Sequence, residues 1–168
     1  MYYMTNYTTK TGPTDRNTIN NAFTYVNREG KSNTIVAPDF KLDPDMCAKY
    51  ARLSAEELFD KKYTRSDAWN LKYVNTPLTP TPSLDNAEPG DIIVFYSPNS
   101  NYNTSGGNNL DRWGNIREGT HAGLLVDFDY NKQPIILHQF HSELEIGKLE
   151  NIVETRNIKP VRIIKTKN

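Results

Sequence analysis

Gly123-Leu124-Leu125-Val126-Asp127-Phe128 and Ile135-Ile136-Leu137-His138-Gln139-Phe140, on either side of Asp129-Tyr130-Asn131-Lys132, carry the reading of the fold. Two apolar runs of strand length around a turn rich in Asp and Asn predict an antiparallel hairpin. Upstream, Asp91-Ile92-Ile93-Val94-Phe95-Tyr96 is an unbroken apolar run bounded by turn residues, the pattern of a strand covered on both faces. Downstream, Val161-Arg162-Ile163-Ile164-Lys165 reads as a last strand. At least four strands are therefore expected, mostly antiparallel.

Helices are expected ahead of them. From Leu42 to Lys62 the chain offers Asp43 as N-cap, Pro44 at the first helical position and Asp45 in the first turn. Cys47, Tyr50, Ala51, Ser54 and Leu58 then follow helical spacing, and Lys61-Lys62 close the last turn with positive charge. A second, shorter helix is expected over Arg65–Val74. Thr76 to Gly90 holds four Pro and reads as a connector. Ser97 to Thr120 is a long polar loop, of the kind that is usually functional or disordered. Residues 1–41 are rich in Thr, Asn and Tyr; only Ala22–Val26 and Thr34–Ala37 look ordered, so this stretch is read as an N-terminal arm with short elements. Residues 42–168 then form an α+β domain.

The bulk properties narrow the function classes. The chain has 168 residues, enough for one domain with a real core. Twenty basic residues balance twenty acidic ones, so no large net charge draws it to nucleic acid or an anionic membrane. One Cys excludes an internal disulfide framework, and with three His it excludes a zinc-finger constellation. No run approaches 18 apolar residues, so no membrane span is expected. Nineteen Asn and sixteen Thr take the place of apolar residues, which suggests long polar loops around a modest core.

The remaining question is what one Cys and three His can do. Cys47 in the first turn of a helix sees the positive end of the macrodipole and nearby N–H groups, which favour the thiolate and can hold an oxyanion formed on attack. The competing reading is a small buried core residue. His121 stands where the long loop meets a strand, well placed to act as a base. His138 lies inside the next strand. If the turn centres between Tyr130 and Asn131, residue i opposes 261 − i, His138 faces position 123, and the two rings become diagonal neighbours on one face. A turn centred one residue later would place His138 opposite Leu125, out of reach. His141 points to the other face and reads as a surface residue, so it and His138 do not chelate one metal ion. No metal and no cofactor are expected. Trp69 reads as core, and Trp113, in the polar loop ahead of His121, is a candidate substrate-cleft wall or lid residue.

Four pieces, in order, carry a resemblance: Met46-Cys47-Ala48-Lys49-Tyr50, Glu88-Pro89-Gly90-Asp91-Ile92-Ile93-Val94-Phe95, Thr120-His121-Ala122-Gly123-Leu124-Leu125-Val126, and Ile135-Ile136-Leu137-His138. Over residues 42 to 165 the chain resembles papain-like cysteine peptidases and amidases of the NlpC type, related to the cysteine, histidine-dependent amidohydrolases. It departs from that family's pattern in Met46 before the Cys, in Ala48-Lys49 after it, and in the long gap from His121 to His138.

The resemblance implies a papain-like fold, with N-terminal helices packed on the sheet. It makes Cys47 the nucleophile, His121 the general base and acid, and His138 the residue that orients His121. It further implies hydrolysis of an amide bond in peptidoglycan, either within the stem peptide or between muramic acid and L-Ala. An upstream Tyr often accompanies the Cys in such enzymes, with Tyr25 one candidate among several. The start of the chain lacks the basic-then-apolar pattern of a secretory signal. The expectation is an enzyme made in the cytoplasm that reaches the wall through phage lysis, virion delivery or a specialised secretion machine, with an immunity or inhibitor protein as a conceivable further partner. Two other readings stand beside it: an acyltransferase or deamidase using the same Cys and His on protein or lipid, and a binding or structural module whose Cys and His are core residues.

Overall fold

The computed structural model describes residues 22–63, 84–96 and 121–166, together with the backbone of 73–77 and 115–118. The architecture is α+β. A five-stranded antiparallel sheet has the order β8-β7-β6-β4-β9, with β4 Ile92–Tyr96, β6 His121–Phe128, β7 Pro134–Phe140, β8 Glu143–Lys148 and β9 Lys159–Ile164. Two smaller antiparallel pairs accompany it: β1 Ala22–Val26 with β2 Ser32–Val36, and β3 Tyr73–Pro77 with β5 Asn115–Glu118. Helix α1 spans Cys47–Phe59 and helix α2 spans Leu149–Arg156. Among the described residues no helix is long and apolar enough to cross a membrane.

The sheet buries both faces, which is why β4 is apolar at every position. On one face Ile92, Val94, Ala122, Leu124, Ile135 and Leu137 pack with Tyr50, Ala51 and Ala55 of α1. On the other, Ile93, Phe95, Leu125 and Ile136 pack with Leu149 and Ile152 of α2. The strands expected at 91–96, 123–128, 135–140 and 161–165 are present, and the two ordered pieces of the N-terminal arm are β1 and β2.

Several expectations need correction. Helix α1 starts at Cys47, not at Asp43, and its N-cap is Met46, with no side-chain cap. The reason is local: Pro44 and Asp45 form a turn, and Asp45 adopts φ 66°, which no helix accommodates. At its other end a left-handed Asp60 stops the helix, its N–H returning to the carbonyls of Ala55 and Glu56, so Lys61 and Lys62 lie outside. Of the helix expected over Arg65–Val74, residues 65–72 lie outside the described residues, and Tyr73–Val74 open β3 instead. The expectation of several N-terminal helices is therefore met among the described residues by α1 alone. Strand β3 runs from the end of the expected second helix into the first two residues of the expected connector, Thr76–Pro77, and pairs with β5 in the polar loop through Tyr73↔Glu118, Thr76↔Ile116 and Pro77↔Asn115. Strand β8 and helix α2 were not foreseen at all.

The register of β6 against β7 decides the site. Beside the turn the pairs are Phe128↔Pro134 and Asp127↔Ile135; beyond a bulge at Val126 they become Leu125↔Ile136 and Leu124↔Leu137. The expected rule i + j = 261 therefore holds at the site end, but a bulge produces it, not the turn.

Candidate functional site

Strand β6 begins at His121 and is flanked there by β4, through Phe95↔His121, Val94↔Ala122 and Ile93↔Gly123. The backbone of Leu125 bonds toward the β4 side, accepting from Gly90 and donating to Asp91. By alternation, His121 and Gly123 face that way too, while Ala122 faces β7. The β6–β7 register ends at Leu124↔Leu137, so the Ala122 amide lies beyond the paired region. That amide meets the Cys47 sulfur.

Gly123 makes the approach of the two imidazoles possible. A Cβ there would stand 2.8 Å from Ile136 Cγ2, 3.3 Å from His138 Cβ and 3.4 Å from Phe95 Cε2. With no side chain in between, His121 Nε2 reaches His138 Nδ1 at 2.7 Å, the rings 4.9 Å apart and nearly perpendicular. Phe95 and Phe140 flank the His121 ring at 5.8 and 5.3 Å.

The chain of contacts continues. His138 stands directly opposite Glu145 on β8, and its Nε2 lies 2.8 Å from Glu145 Oε1. Arg156, at the end of α2, donates through Nε to the same oxygen at 3.2 Å and through Nη2 to Glu143 at 3.1 Å. Its guanidinium also lies over the Phe140 ring, 4.4 Å from the centroid. His121, His138 and Glu145 are all buried.

Cys47 is carried by the first residue of α1 and held in place from β7. Gln139 donates through Nε2 to the Asp43 carbonyl at 2.8 Å and to the His141 carbonyl at 3.0 Å. The Asp45 amide donates to the His141 carbonyl at 3.1 Å, and His141 Nδ1 lies 3.1 Å from Asp45 Oδ1. Three of these bonds strap the segment before the helix to the end of β7 and the β7–β8 turn. Because α1 has no side-chain cap and its first internal bond runs from the Tyr50 amide to Met46, the Cys47 and Ala48 amides are not spent inside the helix.

The electrostatics differ from the sequence expectation of a resting thiolate. Burial pushes the Cys47 thiol up from its ordinary value; the Ala122, Ala48 and Cys47 amides pull it back only in part, and the Asp45 charge adds to the rise. Burial also holds His121 well below the ordinary imidazole value, with smaller contributions from the neighbouring His138, Arg156 and His141. Both directions favour the neutral forms, thiol and imidazole. For Glu145, burial would raise the carboxyl, but the hydrogen bonds and favourable electrostatics of His138 and Arg156 outweigh it, and it sits below the usual range.

Of the expected site residues, His121 and His138 are in direct contact, and Cys47 lies against the amide of the residue next to His121. Trp113 and Trp69 lie outside the described residues. Tyr25 has its hydroxyl bonded to Asp127 and accepts from Asn33 at 2.8 Å, which ties the β1–β2 hairpin to β6. His141 is on the surface. Sequence reasoning missed Glu145, Arg156 and Gln139. The alternation of Leu144 and Ile146 in Glu143–Lys148 was the signal available for β8, and with it the placing of Glu145 opposite His138. Among the described residues no three His, Cys, Asp or Glu side chains are grouped as a metal site requires. Comparison of the chain with protein-family models, with curated proteins and with solved structures finds no match.

Proposed function

We propose that this chain is a cysteine-dependent hydrolase that cleaves an amide bond in bacterial peptidoglycan. One observation carries the chemistry: His121 uses Nε2 on His138, so Nδ1 is the ring nitrogen this reading assigns to Cys47, whose sulfur lies against the amide of the adjacent Ala122. The substrate class comes from the resemblance to NlpC-type enzymes, as does the papain-like fold.

In this reading His121 Nδ1 takes the proton from the Cys47 thiol as the sulfur attacks the amide carbonyl. The Cys47 and Ala48 amides at the start of α1 hold the oxyanion. His121 then returns the proton to the leaving amine, and the C–N bond breaks to leave a thioester on Cys47. A water molecule gives its proton to His121 and attacks the thioester; the acid product departs and the thiol is restored. A neutral resting pair requires His121 to act in the attack itself, because no preformed thiolate waits for substrate.

Digestion of purified peptidoglycan by the wild type and by Cys47→Ala, with mass spectrometry of the soluble fragments, tests this. New fragments from the wild type alone are expected, and their masses identify the bond. Identical digests from both proteins, or no fragments across several wall chemotypes, would refute it.

A further inference from the structure

With both rings neutral, the contact between His121 and His138 holds one proton between two ring nitrogens, and two arrangements satisfy it. In the first, His121 donates from Nε2 and its Nδ1 is bare. In the second, His138 donates from Nδ1 and His121 must carry its own proton on Nδ1. Only the first can accept a proton from Cys47.

What distinguishes them lies one strand further on. In the second arrangement His138 Nε2 is bare and would stand 2.8 Å from a carboxylate oxygen, acceptor against acceptor. In the first, that nitrogen carries a proton and donates it to Glu145. Arg156 closes the alternative escape, in which Glu145 itself carries the proton, because its guanidinium already donates to the same oxygen. We propose that Glu145 is a positioning residue that acts through His138 to fix the tautomers of both imidazoles, so that His121 presents a bare Nδ1 to Cys47. Arg156 is its anchor, which makes the docking of α2 on the sheet a condition for a competent base. The proposal rests on the hydrolase reading only for the use made of that base, so its readouts are taken without peptidoglycan.

The charged and titratable groups around the relay are Cys47 and Asp45 at the start of α1, His141 in the β7–β8 turn, Glu143 on β8 and Arg156 on α2. Among the described residues, the titratable or charged groups in contact with His138 or its acceptor oxygen are His121, Glu145 and Arg156.

The test combines side-chain nitrogen NMR of the histidines with iodoacetamide alkylation of Cys47 across pH, on the whole chain. The wild type should show the proton on Nε2 of both His121 and His138 at neutral pH. Glu145→Met removes the acceptor: His121 should appear partly or wholly with the proton on Nδ1, and alkylation at pH 7 should slow by roughly a hundredfold, the scale of general-base assistance. Glu145→Gln keeps an acceptor oxygen and loses the charge. Its tautomers should stay as in the wild type, alkylation should slow by roughly tenfold, and the acid limb of the profile should move to lower pH, because the imidazolium has lost its anionic neighbour. A structural role alone would scale the rate at every pH and leave the limb in place.

A wild type with the Nδ1 proton on His121 would overturn the proposal. So would a Glu145→Gln profile with the wild-type limb and rate, a result open even if Glu145→Met fails to fold. If wild-type and variant tautomers behave as stated while peptidoglycan stays intact, the relay stands and the substrate assignment falls.

Discussion

Gly123→Ala places a methyl group where buried neighbours leave no room for one. The position lies in a central strand, with Ile93 on one side and the start of the β6–β7 divergence on the other. Its φ is outside the left-handed region, so the backbone itself tolerates alanine. The conflict is steric: 2.8 Å to Ile136 Cγ2 is well inside the optimal carbon–carbon separation of about 3.5–4.0 Å. Ile136 is fully buried and Cγ2 is a branch methyl next to its backbone, so it cannot swing away as a flexible tip could. Overpacking of this kind costs about 1–3 kcal/mol. Loss of glycine's freedom in the unfolded chain returns about 0.4–1 kcal/mol, which leaves a net destabilisation of about 1–2 kcal/mol. Melting should fall by roughly 3–6 °C for a chain of this size. Ile136→Leu moves the methyl from the β to the γ carbon at constant volume and should cost less than about 1.5 kcal/mol alone. Combined with Gly123→Ala it should recover about 1 kcal/mol relative to the sum of the single changes. Urea titrations of the four proteins in the cycle provide the numbers. An unchanged or raised midpoint for Gly123→Ala, or strict additivity in the double variant, would refute the packing argument.

Ser54 is fully buried in α1 with no hydrogen-bond partner for its hydroxyl among the described residues, so Ser54→Ala should raise stability by about 1 kcal/mol in urea unfolding, because an unmet buried group is removed. Tyr25→Phe should lower stability by about 1–2 kcal/mol, since it strips Asp127 and Asn33 of their shared partner, and an increase in protease cleavage within 22–36 would locate the loss in the β1–β2 hairpin. The folded state holds His121 neutral, with its pKa below the unfolded value of about 6.5. Below that pH the unfolded chain binds a proton that the folded chain refuses, so stability should drop as pH falls from about 6.5. His121→Asn should flatten that slope, as measured by urea midpoints from pH 7.5 to 5; an unchanged slope would contradict it.

The strands of the main sheet were legible where they are apolar on both faces, as in Ile92–Tyr96, or flank a polar turn, as around Asp129–Lys132. Pairings that depend on distant partners were not. Tyr73–Pro77 reads as the end of a helix and the start of a connector because its identity as a strand comes from Asn115–Glu118, dozens of residues away. The turn between β7 and β8 is His141-Ser142, with His141 at φ 58° and no glycine or asparagine to announce it. With that turn hidden, Glu145 could not be set opposite His138. The start of α1 was misplaced for a related reason. Asp43-Pro44-Asp45 is a good capping sequence, but tertiary bonds from Gln139 and His141 hold it outside the helix. Cys47, His121 and His138 could be singled out because each sits at a position that local pattern marks: a helix start, a strand start, and an apolar strand with one polar residue.

The bulge at Val126 lets two unrelated fits be met by one strand. Toward the turn, Asp127 and Asp129 are committed to the N-terminal hairpin, through Tyr25 and through the bridge from Asn27. Toward the start of the strand, His121 must share a face with His138. Val126 packs in the same cluster as Tyr25, and Asp127 bonds that tyrosine, so two consecutive residues point the same way and the odd–even count slips by one between the ends. The strand therefore contains two counting frames with a seam at Val126. A residue removed at the seam would leave both frames intact and delete only one valine side chain from the core. A residue removed anywhere between His121 and Leu125 would turn over every side chain on one side of the cut, and one imidazole with them.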